Sequence, residues 1–561
     1  MAGRLFAAVV TLALVFPSDV AGLWPNPREL HEGKAALKLS TNFKINVKVP
    51  NAPGDLHDAA GRAAYWIRHE KLERLVVGRG SADAKAVQKG KWLSGLNLVL
   101  NGGKKAQPIA KEAVKPIGER DESYTLVIPE TGAPGTLSAN TTLGLLRGLS
   151  TFQQLWFAHG KDTYMINAPL RVKDYPAFPY RGFMLDTARN YYPVSDIKRV
   201  LDTMSLVKLN QFHWHIVDSQ SFPLVIPSMP EISGKGAYSP SSIYTPKDIK
   251  DITKYAASRG VDILVEIDTP GHTKIIADSH PDLIACPEAA PWQHFANEPP
   301  SGQLRLANSS VIDFTSKLFK AVAPQFPGSL FSTGGDEINA NCYAEDPATQ
   351  AALAANHQTF SDALGVFTDK THKALRDVGK TPVVWEEMVL DNALPLAKDT
   401  VVMVWISSEN VGKVASKGYR LVHAASDFFY LDCGLGGWVG DCPQCNSWCE
   451  PYKTWQKIYA FDPFNGTTPE QHDLVLGGEA LLWSEQTDSA SLDDTAFPRG
   501  ITQAEVFWTG ANGPNGKPRS GQEALPRLHD IRYRLVQRGV RARALQPLYC
   551  ALRPGACDLN A

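Results

Sequence analysis

The sequence predicts an α/β protein whose larger part is a closed (β/α)8 TIM barrel, preceded by a smaller α+β domain. Three observations carry this. A proline-punctuated segment, Tyr175-Pro176-Ala177-Phe178-Pro179, divides the chain; eight short apolar runs follow it; and stretches of helical character separate several of those runs. The runs cover residues 182–186, 211–217, 261–267, 330–333, 381–385, 401–406, 420–423 and 474–482, and the stretches 195–208, 246–258 and 364–378 have the length of crossover helices. An open doubly wound sheet is the alternative. No G-x-G-x-x-G turn follows the first run, which favours closure.

In chain order, residues 1–22 read as a secretory signal: Arg4, an apolar run over residues 5–16, then small residues near Ala21 and Gly22. The run falls short of the roughly 18 to 20 residues that a bilayer-spanning helix needs, so no membrane association is expected. Residues 23–175 mix alternating runs such as 124–128 with a helical stretch at 143–156, broken by glycine and proline, and form the α+β domain. Residues 176–561 hold the barrel and a C-terminal tail. The chain has 561 residues, 43% of them hydrophobic, and a formal net charge of -1. That balance offers no excess of Lys and Arg to neutralise phosphates, so nucleic acid is excluded as a partner.

Eight cysteines and three N-x-S/T acceptors, Asn140, Asn308 and Asn465, fit export. Cys286 with Cys342 and Cys550 with Cys557 fall as two pairs. Cys433, Cys442, Cys445 and Cys449 crowd into one loop, where a zinc cluster competes with disulfides; an oxidising compartment favours disulfides, with connectivity open.

In a barrel of this kind the reacting groups lie just past the C-terminal ends of the strands. There the sequence places carboxylates and tryptophans. The fourth run leads into Gly334-Gly335-Asp336-Glu337, the fifth ends in Trp385-Glu386-Glu387, and the sixth contains Trp405. Tyr430-Leu431-Asp432 follows the seventh, and the eighth ends in Trp483-Ser484-Glu485. Aromatic walls with carboxylates suit a neutral ring bearing hydroxyls, because its C–H face stacks on indole and its hydroxyls bond to acids. That chemistry points to carbohydrate. Two consecutive acids can both serve one site only where the strand ends and its backbone turns, since successive strand residues face opposite sides.

Several strings, in order, resemble the family-20 glycoside hydrolases, the secreted β-N-acetylhexosaminidases of fungal type. They are Leu23-Trp24-Pro25, Arg181-Gly182-Phe183-Met184-Leu185-Asp186-Thr187-Ala188-Arg189, His213-Trp214-His215-Ile216-Val217-Asp218-Ser219-Gln220-Ser221-Phe222, Thr269-Pro270-Gly271-His272-Thr273, Gly335-Asp336-Glu337 and Gly478-Glu479-Ala480-Leu481-Leu482-Trp483-Ser484-Glu485. The resemblance implies an exo-acting hydrolase that removes terminal β-linked GlcNAc, or GalNAc, from chitin oligosaccharides or glycans. It implies retention of configuration through an oxazolinium ion formed by the substrate's own acetamido group. Glu337 is then the general acid and base, which calls for a pKa raised by burial and a neighbouring negative charge. Asp336 orients the acetamido N–H and stabilises its developing charge, and Tyr430 donates to the acetamido oxygen.

By position, the resemblance assigns Arg181, Glu485 and Asp432 to the sugar hydroxyls. It assigns Trp385, Trp405 and Trp483 to the pocket walls, and Trp455 to stacking on the leaving-group side. Asp218 and His272 hold the acid pair in place. No metal or organic cofactor is expected, homodimerisation through barrel loops is the family's usual arrangement, and the protein is expected outside the cell, free or wall-associated.

Two other readings compete. His213 and His215, two apart on one strand, point to one face as zinc ligands would, although a third and fourth ligand are not evident. A carbohydrate-binding protein without turnover is the other, and it is disfavoured because the acid pair, Tyr430 and Glu485 are all present.

Overall fold

The computed structural model describes residues 22–103 and 105–561. The expected signal segment therefore lies outside the described residues, apart from Gly22. Six strands build the first sheet: β1 (Glu29–Val47), β2 (Lys91–Leu100), β3 (Tyr124–Ile128), β4 (Gly135–Ala139), β5 (Phe157–His159) and β6 (Asp162–Asp174). Leu126 and Ile128 on β3 and Leu137 and Ala139 on β4 are buried at every second position, as in a sheet with one face on a core. β1 pairs antiparallel with β6 through its first half and parallel with β2 through its second, its register shifting between Leu39 and Lys44.

The helix Thr142–Gln154 begins at Thr141, whose hydroxyl accepts the Gly144 N–H at 3.0 Å, and is buried on nearly every side. A helix hidden all round must have packing partners on both flanks. One is the sheet; the other is the barrel, where Arg147 donates to the Gly260 carbonyl (2.6 Å) and Gln154 to that of Leu206 (3.2 Å).

β6 ends at Asp174 and the barrel begins at Tyr180. Its strands are β7 (Tyr180–Asp186), β8 (Gln211–Val217) and β9 (Asp262–Ile267), followed by two-residue strands β10 (Ile284–Ala285) and β11 (Gln303–Leu304) that pair outside it. β12 (Leu330–Ser332), β13 (Thr381–Trp385), β14 (Val401–Val404), β15 (Arg420–His423) and β16 (Val475–Leu482) complete the barrel, β16 pairing with β7, all in parallel. Each predicted run became one of these strands. Parallel barrel strands are covered on both faces, and β7, β8, β9 and β16 are buried at every residue, which is why they read as short apolar runs.

The barrel interior departs from the usual branched aliphatic filling. Tyr180, His213, His215, Glu266 and Glu479 point inward and hydrogen-bond to one another, while Trp214 packs outward on Tyr244 and Phe326. Below the barrel floor, Arg120 of the first domain pairs with Asp262 at 2.7 Å, and Glu122 bridges Arg147 (2.7 Å) and Arg181 (2.6 Å). The helix Gly521–Gln537 returns across the first domain, where Arg534 and Arg538 hold Glu70. Among the described residues, no helix is long and apolar enough to cross a membrane.

Candidate active site

A cavity of about 520 Å³ opens at the C-terminal ends of the barrel strands. The loop after β7 brings Arg189 to it, that after β9 His272, that after β12 Asp336 and Glu337, and that after β14 Trp405. Tyr430 and Asp432 follow β15, and Trp483 and Glu485 follow β16.

The acid pair stands on an irregular turn. β12 ends at Ser332, and Gly334 (φ 63°), Gly335 (φ 97°) and Glu337 (φ 53°) all lie in the left-handed region. Gly334 cannot be replaced without displacing Asp268, because a Cβ there would stand 1.9 Å from Asp268 Oδ1. The same oxygen accepts the Gly335 N–H at 2.8 Å. For Glu337, a non-glycine residue at positive φ costs conformational energy that the surrounding contacts must offset, as at many functional sites. This turn lets two consecutive acids reach one cavity.

His272 organises their charges. Its Nδ1 faces Asp218 Oδ1 at 3.1 Å, and its Nε2 lies 3.4 Å from Glu337 Oε2 and 3.7 Å from Asp336 Oδ2. Burial opposes the cation, but Asp218, Asp336 and Glu337 outweigh it and hold the ring protonated well above the ordinary histidine range. Asp268, His272 and Asp336 each bring a polar atom within 4.8 Å of the others. Burial and the facing Asp336 push Asp268 well up. Asp336 is itself raised by burial, with the charge of His272 pulling it back.

Glu337 differs from expectation. Burial raises its carboxyl, but the hydrogen bond and charge of His272 prevail and leave it below the usual glutamate range. The expected raised pKa is therefore not a property of the free site. The adjacent cation, not the adjacent Asp336, dominates.

The walls are aromatic. Trp405 and Tyr430 lie nearly parallel with centroids 6.2 Å apart, and the largely exposed Trp448 meets both edge-on at 5.8 and 5.9 Å. The Trp405 indole donates to Glu387 at 2.8 Å; burial and the charge of Asp336 push Glu387 up to about 9. Asp432 is pushed up to about 7, chiefly by burial. Trp385 lies beneath the cavity against His213 and Trp483 rather than on its surface, and Asp218 lies behind His272, also bound by His215 (2.7 Å) and Arg189 (3.1 Å). The loop over the cavity is tied by Cys433–Cys449 and Cys442–Cys445; Cys286–Cys342 and Cys550–Cys557 complete the disulfides. Asn140 and Asn465 are exposed, and Asn308 is half-buried at the start of the helix Ser309–Val322.

Besides Trp385, two expected site residues lie off the cavity. Arg181, at the N-terminal end of β7, is fully buried under the barrel, donating to Glu122 and to the Phe178 and Lys208 carbonyls. The cavity arginine is Arg189, at 2.5 Å from Glu298 and 3.1 Å from Asp218. Trp455 opens the helix Trp455–Tyr459 and is buried against Tyr459; Trp438 and Trp448 of the disulfide loop face the cavity in its place. Asn297 and Glu298 were not anticipated, because their irregular segment shows no periodicity. Arg189 had a signal: it stands three residues past the end of the first barrel strand. The two histidines weighed as metal ligands have all four ring nitrogens engaged by Glu479, Glu266 and Asp218, leaving no convergent lone pairs.

Residues 178–511 match the glycosyl hydrolase family 20 catalytic domain, and residues 23–155 match a domain described as beta-acetyl hexosaminidase like. The chain belongs to glycosyl hydrolase family 20. It is a glycoside hydrolase of the β-N-acetylhexosaminidase class. It is 36% identical over 475 residues to beta-hexosaminidase 1 of Coccidioides posadasii, covering 78% of each chain. It is 34% identical over 564 residues to the chitooligosaccharidolytic beta-N-acetylglucosaminidase of Ostrinia furnacalis, covering 97% of this chain and 90% of that one. The Flavobacterium johnsoniae chitobiase superposes with a TM-score of 0.72 at 25% identity, over 93% of this chain and 73% of that one. The fold is also that of the Streptomyces plicatus N-acetyl-beta-hexosaminidase, with a TM-score of 0.71 at 24% identity over 94% and 97% of the two chains.

Proposed function

We infer that this family-20 hydrolase is exo-acting and releases terminal, non-reducing β-linked GlcNAc from chitin oligosaccharides or glycans, retaining configuration with the substrate's acetamido group as nucleophile. The observation that carries this is the turn after β12, which brings Asp336 and Glu337, as neighbours, to the same cavity. Two carboxylates acting as nucleophile and acid would need to flank the bond about 5 Å apart on opposite sides. Here Asp336 takes the acetamido N–H, Tyr430 the acetamido oxygen, and Glu337 the leaving oxygen. Arg189, Asp432 and Glu485 bind ring hydroxyls, and Trp448 offers its exposed ring to the leaving group. Export is supported by the four disulfides.

The test compares hydrolysis of 4-nitrophenyl N-acetyl-β-glucosaminide with that of the plain β-glucoside. Rapid release from the first and almost none from the second is expected; comparable rates would mean that an enzyme carboxylate is the nucleophile. Glu337→Gln should lose turnover mainly where the leaving group needs a proton, and Asp336→Asn should lose it on every substrate, by roughly 10²-fold or more.

A further inference from the structure

Three histidines and three acids alternate in one hydrogen-bonded row along the inside of the barrel. At the floor, Tyr180 donates to Glu479 Oε2 at 2.5 Å, and Glu479 Oε1 meets His213 Nδ1 at 2.8 Å. His213 Nε2 reaches Glu266 Oε2 at 3.1 Å, and Glu266 Oε1 meets His215 Nδ1 at 2.6 Å. His215 Nε2 meets Asp218 Oδ2 at 2.7 Å, Asp218 Oδ1 meets His272 Nδ1 at 3.1 Å, and His272 Nε2 ends the row at Glu337. Glu479, His213, Glu266 and His215 are buried and reach no part of the cavity.

Each imidazole has a carboxylate oxygen at both ring nitrogens. Glu266 and Asp218 are held ionised by the rings and by Arg189, and beside ionised carboxylates a neutral ring would set a lone pair against one of them, so the row holds imidazoliums balanced by these acids. Buried charges seldom stabilise a fold better than apolar packing would, so a polar row in a barrel core points to a task other than stability.

We propose that the row is a proton store for Glu337: His272 hands over its Nε2 proton when a glycoside enters, and His215, Glu266, His213 and Glu479 are positioning residues that keep His272 able to give and recover it. This rests on Glu337 being the acid. The His272 Nε2–H bond breaks as an O–H bond forms on Glu337 Oε2, leaving a neutral ring whose Nδ1–H still faces Asp218. Glu337 gives that proton to the leaving oxygen as the glycosidic C–O bond breaks. It takes one from the attacking water and returns it to His272, so no net proton is consumed. The low pKa of Glu337 in the free site is then no obstacle, because the acid's proton rests one atom away. The pair titrates as a unit.

Charged groups face this unit from several loops. His272 sees Asp218, Asp268, Asp336, Glu337 and Glu298, and Glu337 also sees Arg189 and Asn297. Glu266 accepts from Ser332, and Arg120 lies toward Tyr180.

Glu266→Gln removes the central anion while keeping its shape, and so lowers the proton affinity of the whole row. On N,N′-diacetylchitobiose, whose leaving sugar needs a proton, the alkaline limb of kcat/KM should move to lower pH by about half a unit or more. On 4-nitrophenyl N-acetyl-β-glucosaminide it should stay. An unmoved limb on chitobiose, or an equal shift on both substrates, overturns the proposal. Ring nitrogen NMR of the histidine-labelled wild type tests the row independently of any variant's folding. Buried rings protonated at both nitrogens at about pH 8 are expected, and a bare nitrogen on His213 or His215 overturns it. A wild type inactive on both substrates would instead remove the role given to Glu337, while the NMR result would still stand for the row.

Discussion

Two arginines eight positions apart illustrate how finely strand position assigns a role. Arg181 lies at the start of β7 and Arg189 follows its end, so a barrel strand separates them: one ties the floor to the first domain, the other lines the cavity. Arg181→Ala should cost about 3 kcal/mol of stability, because Glu122 and Arg147 are left in a buried site with their network broken, while kcat/KM of the folded enzyme stays unchanged. Arg189→Ala should lower kcat/KM by roughly 10²-fold through a lost charged hydrogen bond to substrate. Denaturant titration beside steady-state kinetics separates the two effects, and the opposite pairing would return Arg181 to the site.

At the scale of elements, the barrel was legible in the sequence because strands covered on both faces leave unbroken apolar runs, and the end of each run pointed to the chemistry. β8 shows the limit of that reading. Its Phe212, Trp214 and Ile216 face out, while His213 and His215 face into a core whose carboxylate partners, Glu266 and Glu479, lie 53 and 266 residues away. No local pattern announces such a pairing. The loop at 434–450, tied by two disulfides, was also opaque: it turns Trp438 and Trp448 toward the cavity, whereas the resemblance pointed to Trp455 beyond it. Trp448→Ala should raise KM for chitin oligosaccharides about 5- to 20-fold, corresponding to about 1 to 2 kcal/mol of lost stacking, with little change in melting temperature. Trp455→Ala should do the reverse, costing about 3 kcal/mol or more of stability by opening a cavity beneath the loop. Thermal melts and oligosaccharide kinetics on both variants check this.

For the whole molecule, the buried ionic groups give stability a pH window. Glu122, shared by the two domains, is subject to burial that raises its carboxyl, but Arg181 and Arg147 prevail and hold it down at about 2, against 4.5 for a free glutamate. A depressed acid contributes stability that is present above its unfolded pKa and lost as pH falls through the folded one; the shift corresponds to about 3 kcal/mol. His213 and His215 behave oppositely. Burial disfavours their cations, yet Glu479, Glu266 and Asp218 raise them to about 10 and about 9. Their contribution is full below about 6.5 and is lost as pH rises through those values. Urea midpoints at about pH 3, 5.5 and 9.5 should therefore be highest in the middle, and a midpoint that keeps climbing to the alkaline end would show that these rings are neutral in the fold.

The first described residues belong to both halves of the molecule. Trp24 is wholly buried: its indole N–H donates to the Ile501 carbonyl at 3.0 Å, and its backbone N–H and carbonyl are both held by Gln154. Leu23 is buried beside it in the core of the first domain. An exopeptidase working inward from the amino end must therefore pull an indole out of the core before it can pass this point. The fold thus resists trimming from that end. Native protein incubated with an aminopeptidase should stall at or before Leu23 by intact mass, and digestion that runs on through Trp24 without unfolding would show that the anchor does not hold.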